Sequence, residues 1–181
     1  MKIRFSDKMH DILRLAAEET LRTGHTTAGA DHLMLGLLRD RDNDACRALG
    51  GLGIDLDDMK KSIDKQIFRD EPAPFGELDS VYPARGAIEV IQISTYEALK
   101  LGSSTIRTSH FLLALSIFPE SASYGYLEAH GLGSGELEAF MSEKGMLRDV
   151  TEHAPVVISD EIIGALGEQL TNLLSSSDFA S

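Results

Sequence analysis

The sequence is short of cysteine and of aromatic residues. Its 181 residues include one cysteine, Cys46, no tryptophan and only 6% aromatic residues in all. A single cysteine excludes an intramolecular disulfide and any multi-cysteine metal site, and it predicts a reduced, cytoplasmic protein in which Cys46 is a small buried apolar residue. The few aromatic residues provide no obvious platform on which nucleic-acid bases or sugars would stack.

The chain is also short of positive charge. It has 17 lysine and arginine residues against 29 aspartate and glutamate residues, so its net charge is −12. Nucleic acids and anionic membranes are bound by a surplus of cations, and neither is predicted as a partner. No apolar run approaches the roughly 18 residues of a membrane span, and the first residues contain no stretch of signal-peptide length.

Motifs that carry catalysis or bind metals are missing as well. The sequence has no GxxxxGK[ST] phosphate loop, no GxSxG nucleophile elbow and no HExxH metal motif. Asp40, Asp42 and Asp44 imitate the first ligands of a calcium loop, but Ala45 stands where that loop needs glycine and Gly51 where it needs glutamate. A solvated acidic loop that caps a helix is the better interpretation. No enzyme activity, metal or cofactor is therefore predicted.

What the sequence does contain is an internal repeat. A shift of 78 positions aligns residues 13–63 with 91–141 without a gap, and nine of the 51 pairs are identical. Background residue frequencies would give about three identical pairs by chance. The identical pairs are Glu19/Glu97, Leu21/Leu99, Gly24/Gly102, Thr27/Thr105, His32/His110, Leu35/Leu113, Leu37/Leu115, Leu49/Leu127 and Gly53/Gly131.

Apolar residues recur at helical spacing in each half and predict four helices per repeat. The first helix is expected over residues 7–21. The second, over residues 32–38, is apolar nearly all round and is therefore expected to be buried on every side. The second repeat copies this plan. The residues predicted to cap the helices are Ser6, Asp44 and Asp55 in the first repeat, and Thr108 and Ser134 in the second.

The last part of the chain differs from both repeats. An apolar stripe predicts a helix near residues 160–175, with two interpretations open: it docks on the repeats or in a homodimer, or it contacts a partner protein. The sequence thus predicts an all-α fold, a pseudo-twofold pair of four-helix repeats with an added C-terminal helix. The predicted segments are a module at 1–145, made of repeat one (1–66), a linker (67–81) and repeat two (82–145), and a tail at 146–181.

The two repeats resemble the Clp N-terminal domain, the double four-helix module that precedes the ATPase rings of bacterial Hsp100 unfoldases, especially of the ClpC type. The resemblance rests on FSDKMHDILRLAAEETLRTGHTTAGADHLMLGLL in the first repeat and YEALKLGSSTIRTSHFLLAL in the second, and covers about residues 1–145. It implies a non-catalytic module for protein–protein recognition, whose partners are substrates, adaptors or a Clp ATPase or protease. A stand-alone protein that sequesters a small molecule or peptide is the alternative, and a hydrolase with an unrecognised site is a distant third.

The missing phosphate loop leaves two interpretations of the chain itself. It is either a stand-alone Clp N protein or a fragment of a longer unfoldase. The initial Met1 and the C-terminal apolar helix favour the stand-alone protein, although a fragment that ends beyond the module would look similar.

The resemblance also implies candidate binding residues. ClpC-type domains bind phosphorylated arginine through an acidic residue just before the repeat histidine and a hydroxyl residue near the start of the first helix. A carboxylate pairs with the guanidinium, while hydroxyls and helix amides hold the phosphate. These positions hold Ser6 and Asp31 in the first repeat, and Ala84 and Ser109 in the second, which makes the second site degenerate. The alternative role of Ser6 is the N-cap of the first helix, and that of Asp31 is a helix cap or a first-turn anion.

Two histidines, His32 and His110, stand at equivalent places at the start of the buried helices. An active site rarely needs two copies on opposite halves of one module, so a shared role in packing and hydrogen bonding is predicted for both. Partner contacts are expected in the groove between the repeats and in the pocket at Ser6 and Asp31.

Overall fold

Four helices and two very short strands form each repeat in the part of the chain that the structure describes. A computed structural model describes residues 3–71 and 81–148. The first half contains β1 (Arg4–Phe5), α1 (Asp7–Arg22), β2 (Thr27–Ala28), α2 (Ala30–Arg39), α3 (Asp44–Gly51) and α4 (Leu56–Ile67). The second contains β3 (Tyr82–Pro83), α5 (Arg85–Lys100), β4 (Thr105–Ile106), α6 (Thr108–Ser116), α7 (Ala122–Ala129) and α8 (Ser134–Glu143). The predicted pair of four-helix repeats is confirmed.

The buried helices lie at the centre of each repeat. Every residue of α6 is buried, and in α2 only the first-turn Asp31 and the last residue, Arg39, are not. Gly36 lets α2 approach α1 closely, since a Cβ at this position would lie 2.8 Å from the Ile12 carbonyl oxygen. The surrounding helices each turn one apolar face towards this pair, which is why their spacing is visible in the sequence.

Two of the five predicted caps are correct. The Ser6 hydroxyl accepts a hydrogen bond from the Met9 amide at 3.2 Å, and the Asp55 carboxylate accepts from two first-turn amides of α4. The other three predictions, at Asp44, Thr108 and Ser134, are wrong by one residue, because each of these is the first residue inside its helix.

The observed caps explain this difference. They are Asn43, Arg107 and Gly133. Asn43 caps through its own side chain, whereas the amides of the other two donate to a side chain three residues ahead. The partner of Gly133 is Glu136, at 2.8 Å. A reversed bond of this kind lets a residue without a capping side chain start a helix.

The strands, which the sequence does not predict, join the two repeats. β1 pairs in parallel with β4, and β2 pairs in parallel with β3. The 78-residue shift maps β1 onto β3 and β2 onto β4, so the two ladders are copies of each other. The amides of Ser6 and Ala84 extend them, donating to carbonyls of the opposite repeat at 3.0 and 2.7 Å. Strands of two residues are too short to show a periodic pattern.

The predicted segment boundaries stay predictions, and elements of the structure begin or end near two of them. α4 ends at Ile67, one residue inside the predicted linker, and β3 includes Tyr82, the first predicted residue of repeat two. The predicted tail starts with residues that pack on the second repeat, since Leu147 is only 3% exposed. The predicted helix near 160–175, and the homodimer contact proposed for it, lie outside the described residues. No helix in the described ranges is long and apolar enough to cross a membrane.

Candidate functional site

Asp31 connects the two repeats. It lies in the first turn of α2, half-buried, and both of its carboxylate oxygens accept hydrogen bonds from the start of α7 in the second repeat. The donors are the Ala122 amide at 2.9 Å, the Ser123 amide at 2.9 Å and the Ser123 hydroxyl at 2.6 Å. The amides at a helix start have no partner within their own helix, and the helix dipole favours an anion there. Asp31 therefore acts as a cap for a helix of the other repeat.

A second bond holds α7 to the first repeat. The Tyr126 hydroxyl donates to the Asp58 carboxylate of α4 at 2.7 Å. Burial raises the pKa of Tyr126 to about 12, and the bond to Asp58 acts in the same direction. The reciprocal contact is at the start of α3, where Arg107 pairs with Asp44 at 2.9 Å and the Thr108 hydroxyl accepts from a backbone amide of α3.

The other residues of the predicted phosphoarginine sites have internal partners in the structure. The Ser6 hydroxyl caps α1, and Ala84 precedes α5 without any side-chain cap. The Ser109 hydroxyl donates to the Met146 carbonyl at 2.8 Å. Asp31 and Ser109, which occupy equivalent positions, thus reach different segments of the chain.

The two histidines make equivalent contacts through Nδ1, whereas Nε2 of His110 lies 3.2 Å from the Leu147 carbonyl oxygen. Nδ1 of His32 accepts from the Gly29 amide at 2.9 Å, and Nδ1 of His110 accepts from the Arg107 amide at 3.0 Å. Nε2 of His32 lies 3.0 Å from the Thr23 hydroxyl. Burial, together with the nearby His25, Arg22 and Arg69, lowers the pKa of His32 to about 4. His32 is therefore neutral at physiological pH and fixes the first turn of α2.

The three aspartates of the acidic loop form ion pairs, and Cys46 is buried. Asp40 pairs with Lys8 at 2.9 Å, and Asp42 and Asp44 both pair with Arg47. No group of three or more metal-ligating side chains occurs in the described ranges. Cys46 is 3% exposed, and burial raises the pKa of its thiol to about 11.

The space between the repeats at β2 and β3 is filled. The cavity there measures about 10 Å³ and is lined by apolar side chains of both repeats, among them Leu13, Leu33 and Ala87. Pockets for small molecules usually measure about 300–1,000 Å³. At this point the expected binding groove between the repeats is replaced by packed core.

A larger opening lies within the second repeat. A groove of about 520 Å³ runs between the end of α6, α7 and the start of α8. We call it the second-repeat groove. Ile117 on its wall is 42% exposed, and both charged residues among the described residues that line it are acidic. The side chains that shape it are Ile117, Pro119, Tyr124, Leu132, Glu128 and Glu136.

The sequence offers little signal for this groove. Ile117 continues the apolar pattern of α6 and is indistinguishable there from a core residue. Only the comparison of the repeats marks it, because the equivalent residue of the first repeat is the charged Arg39.

The model of the Clp repeat (R) N-terminal domain family matches residues 4–129, which is most of the described chain. The chain belongs to this family. Clp N domains are protein-interaction modules of Clp chaperones. The resemblance drawn from the sequence is confirmed.

Individual relatives agree with this assignment. ClpC/MecB of Bacillus subtilis, described as a negative regulator of genetic competence, is 36% identical over 112 residues, which is 62% of this chain and 13% of that protein. The chloroplastic chaperone ClpC1 of Arabidopsis thaliana is 29% identical over 171 residues, 94% of this chain and 18% of the relative. The chain thus spans less than a fifth of these relatives.

A solved structure supports the fold. The N-terminal domain of the chaperone ClpD from Arabidopsis thaliana superimposes with a TM-score of 0.61 at 16% identity, covering 78% of this chain and 94% of that domain. At this identity the likeness concerns the fold alone.

Proposed function

We propose that this Clp N domain is a non-catalytic recognition module of the Clp protease and unfoldase system that binds substrates, adaptors or Clp components. The match of the family model to residues 4–129, together with the two-repeat fold, carries the proposal. The net charge of −12 favours basic or apolar protein surfaces as partners and disfavours nucleic acid and anionic membranes. The proposal places the protein in the cytoplasm, in keeping with its one buried thiol.

Affinity capture tests this proposal. The full chain is immobilised and exposed to a lysate of its host after mild cross-linking, and an unrelated protein of similar net charge serves as the control. We expect enrichment of a Clp ATPase, a Clp protease, an adaptor or a known client, followed by direct binding of the purified partner in titration calorimetry. Enrichment of none of these classes would count against the proposal.

Phosphoarginine binding at Ser6 and Asp31 stays a prediction of the family resemblance. The contacts favour the capping role, because both oxygens of Asp31 already accept hydrogen bonds from α7. Titration calorimetry with phosphoarginine on the wild type and on Ser6→Ala separates the two roles. A saturable heat that the variant loses supports a binding site, and the absence of heat in the wild type leaves only the caps.

A sequestering role for a small molecule has less support. The cavity between the repeats is about 10 Å³, too small for a ligand. The second-repeat groove has the volume but is an open surface feature. Its shape and charge favour a segment of a protein over an enclosed small molecule.

A further inference from the structure

In the first repeat an arginine bridges two helix ends. In the second repeat the equivalent place is the open second-repeat groove. The Nε of Arg41 donates to the Leu38 carbonyl at the end of α2, at 2.8 Å. The same guanidinium pairs with the Asp57 carboxylate at the start of α4, at 2.6 Å. One cation thus spans the gap between two helix ends, satisfying a C-terminal carbonyl and a carboxylate at once.

The second repeat lacks this bridge. The 78-residue shift places Pro119 at the position of Arg41 and Gly135 at the position of Asp57. Neither residue carries a charge, and the corresponding gap is the second-repeat groove, where Pro119 lies on the wall. The groove therefore lies where the first repeat has its bridging arginine.

A second substitution adds apolar surface beside the groove. In the first repeat Arg39 pairs with Glu18 at 2.5 Å. The equivalent residues of the second repeat are Ile117 and Tyr96, which are 42% and 44% exposed. Two exposed side chains thus stand where the first repeat has an ion pair: Ile117 lines the groove, and the ring of Tyr96 lies 5.9 Å from the Lys100 ammonium. Exposed apolar surface at a groove, as at Ile117, is typical of interaction sites.

The charge of the groove selects the partner. Glu128 is exposed, and its side chain has no hydrogen bond or ion pair with the described residues. One oxygen of the Glu136 carboxylate accepts a hydrogen bond from the Gly133 amide at 2.8 Å. The C-terminal end of α6 adds the negative pole of a helix, which favours a cation. Nothing cationic lines the described part of the groove.

We propose that the second-repeat groove docks a segment of a partner protein in which an arginine or lysine stands next to an apolar side chain. The cation takes the place that Arg41 holds in the first repeat, between the end of α6 and the carboxylates of Glu128 and Glu136. The apolar neighbour packs on Ile117, which lies on the wall of the groove. The inference rests on the proposed function and names the chemistry of the partner.

Fluorescence anisotropy with two labelled peptides tests the cation. One peptide carries a single arginine flanked by leucines in a glycine–serine background, with both ends blocked. In the other, citrulline replaces arginine, which keeps the shape and removes the charge. We expect the citrulline peptide to bind the full chain about tenfold more weakly, as for the loss of one charge-assisted hydrogen bond. Equal binding of the two peptides would overturn the proposal.

Matched variants test the location. The double variant Glu128→Gln with Glu136→Gln preserves the cap of Gly133 and removes two charges from the groove. Its control is Asp42→Asn with Glu143→Gln, which makes the same change in net charge at exposed residues outside the groove lining. We expect about tenfold weaker binding of the arginine peptide by the first and unchanged binding by the second. Equal loss in both would assign binding to net charge and overturn the site.

A third variant places in the groove an arginine bridge like that of the first repeat, and we call it the closed variant. Pro119→Arg with Gly135→Asp rebuilds the bridge, and a Cβ at Gly135 meets nothing within 4 Å. We expect an unchanged melting temperature and loss of peptide binding. Full binding by this variant, if it folds, overturns the proposal, and the Glu→Gln variant decides the matter if it does not. Sedimentation that shows a dimer dissolved by the same variant would identify a second copy of the chain as the occupant and also overturn it.

The capture experiment separates this inference from the proposed function. If wild type and closed variant capture the same Clp partners, the inference fails and the proposed function stands. If only the wild type captures them, both are supported. If the wild type captures no Clp partner but still binds the arginine peptide through the groove, only the proposed function fails.

Discussion

Replacement of Asp31 by asparagine tests whether one carboxylate holds the two repeats together. Asparagine keeps the shape of the side chain but loses the charge. It also presents an NH₂ group where an oxygen accepts from an α7 amide. One of the amides of Ala122 and Ser123 would then face a donor instead of an acceptor. The start of α7 would lose its favourable anion as well.

The expected cost is about 2 kcal/mol of unfolding free energy. Bonds to a charged group contribute about 1.5–3 kcal/mol each, and we take the low end because Asp31 is half-buried and the asparagine keeps one acceptor. For a chain of this size, that corresponds to a melting temperature lower by about 4–8 °C. Circular dichroism at 222 nm and urea titration measure both quantities.

The matched control is Asp42→Asn, an exposed carboxylate whose ion pair with Arg47 lies on the surface. Surface pairs of this kind contribute about 0.2–1 kcal/mol. If Asp31→Asn costs no more than this control, the bonds to α7 contribute nothing net, and Asp31 is available to a ligand. A double-mutant cycle with Ser123→Ala assigns the remainder to the contact itself.

Three further predictions concern the first repeat. Gly36→Ala should lower the urea unfolding free energy by about 1–3 kcal/mol, since its Cβ would lie 2.8 Å from the Ile12 carbonyl oxygen, whereas Gly50→Ala, with open space around it, should be neutral or stabilising. The pKa of His32 is lowered to about 4, so the unfolded chain binds a proton that the folded chain does not as the pH falls below about 6.5. Stability should therefore fall from pH 6.5 towards pH 4, and His32→Gln should flatten this part of the profile of urea midpoints; an equally steep profile in the variant would contradict the assignment. Cys46 should resist alkylation by iodoacetamide in the native protein and react readily in urea, because burial raises the pKa of its thiol to about 11.

The helices could be predicted because their buried apolar residues recur at helical spacing in the sequence. α1 places Met9, Ile12 and Leu13 on one face, and α6 is apolar along its whole length. The repeat added a check that does not depend on propensity, since two stretches with the same pattern are expected to fold in the same way. Two of the three starts that were wrong by one residue are capped by a side chain further along the helix, as Glu136 does for Gly133, and the third is capped by the preceding Asn43.

The contacts between the repeats could not be predicted in this way. Asp31 and Ser123 are 92 positions apart, and neither residue type indicates a partner at that distance. The identity of Asp31 suggested a ligand for guanidinium, or a cap or first-turn anion of its own helix. The structure places Asp31 in the first turn of α2, where it also caps a helix of the other repeat. A carboxylate can accept a hydrogen bond from any nearby donor, and the topology of the chain decides which donor lies beside it.

The two repeats can be compared position by position, because the 78-residue shift aligns them. Identical pairs such as His32 and His110 keep equivalent bonds, so identity between the halves marks positions that the fold itself needs. Where the halves differ, the helices follow one another in the same order, and the side chains at equivalent positions have changed. Arg41 closes its face of the first repeat, and Pro119 leaves the equivalent face open. Because one half supplies the reference state for the other, the difference identifies a cation that the second half lacks and a partner can provide.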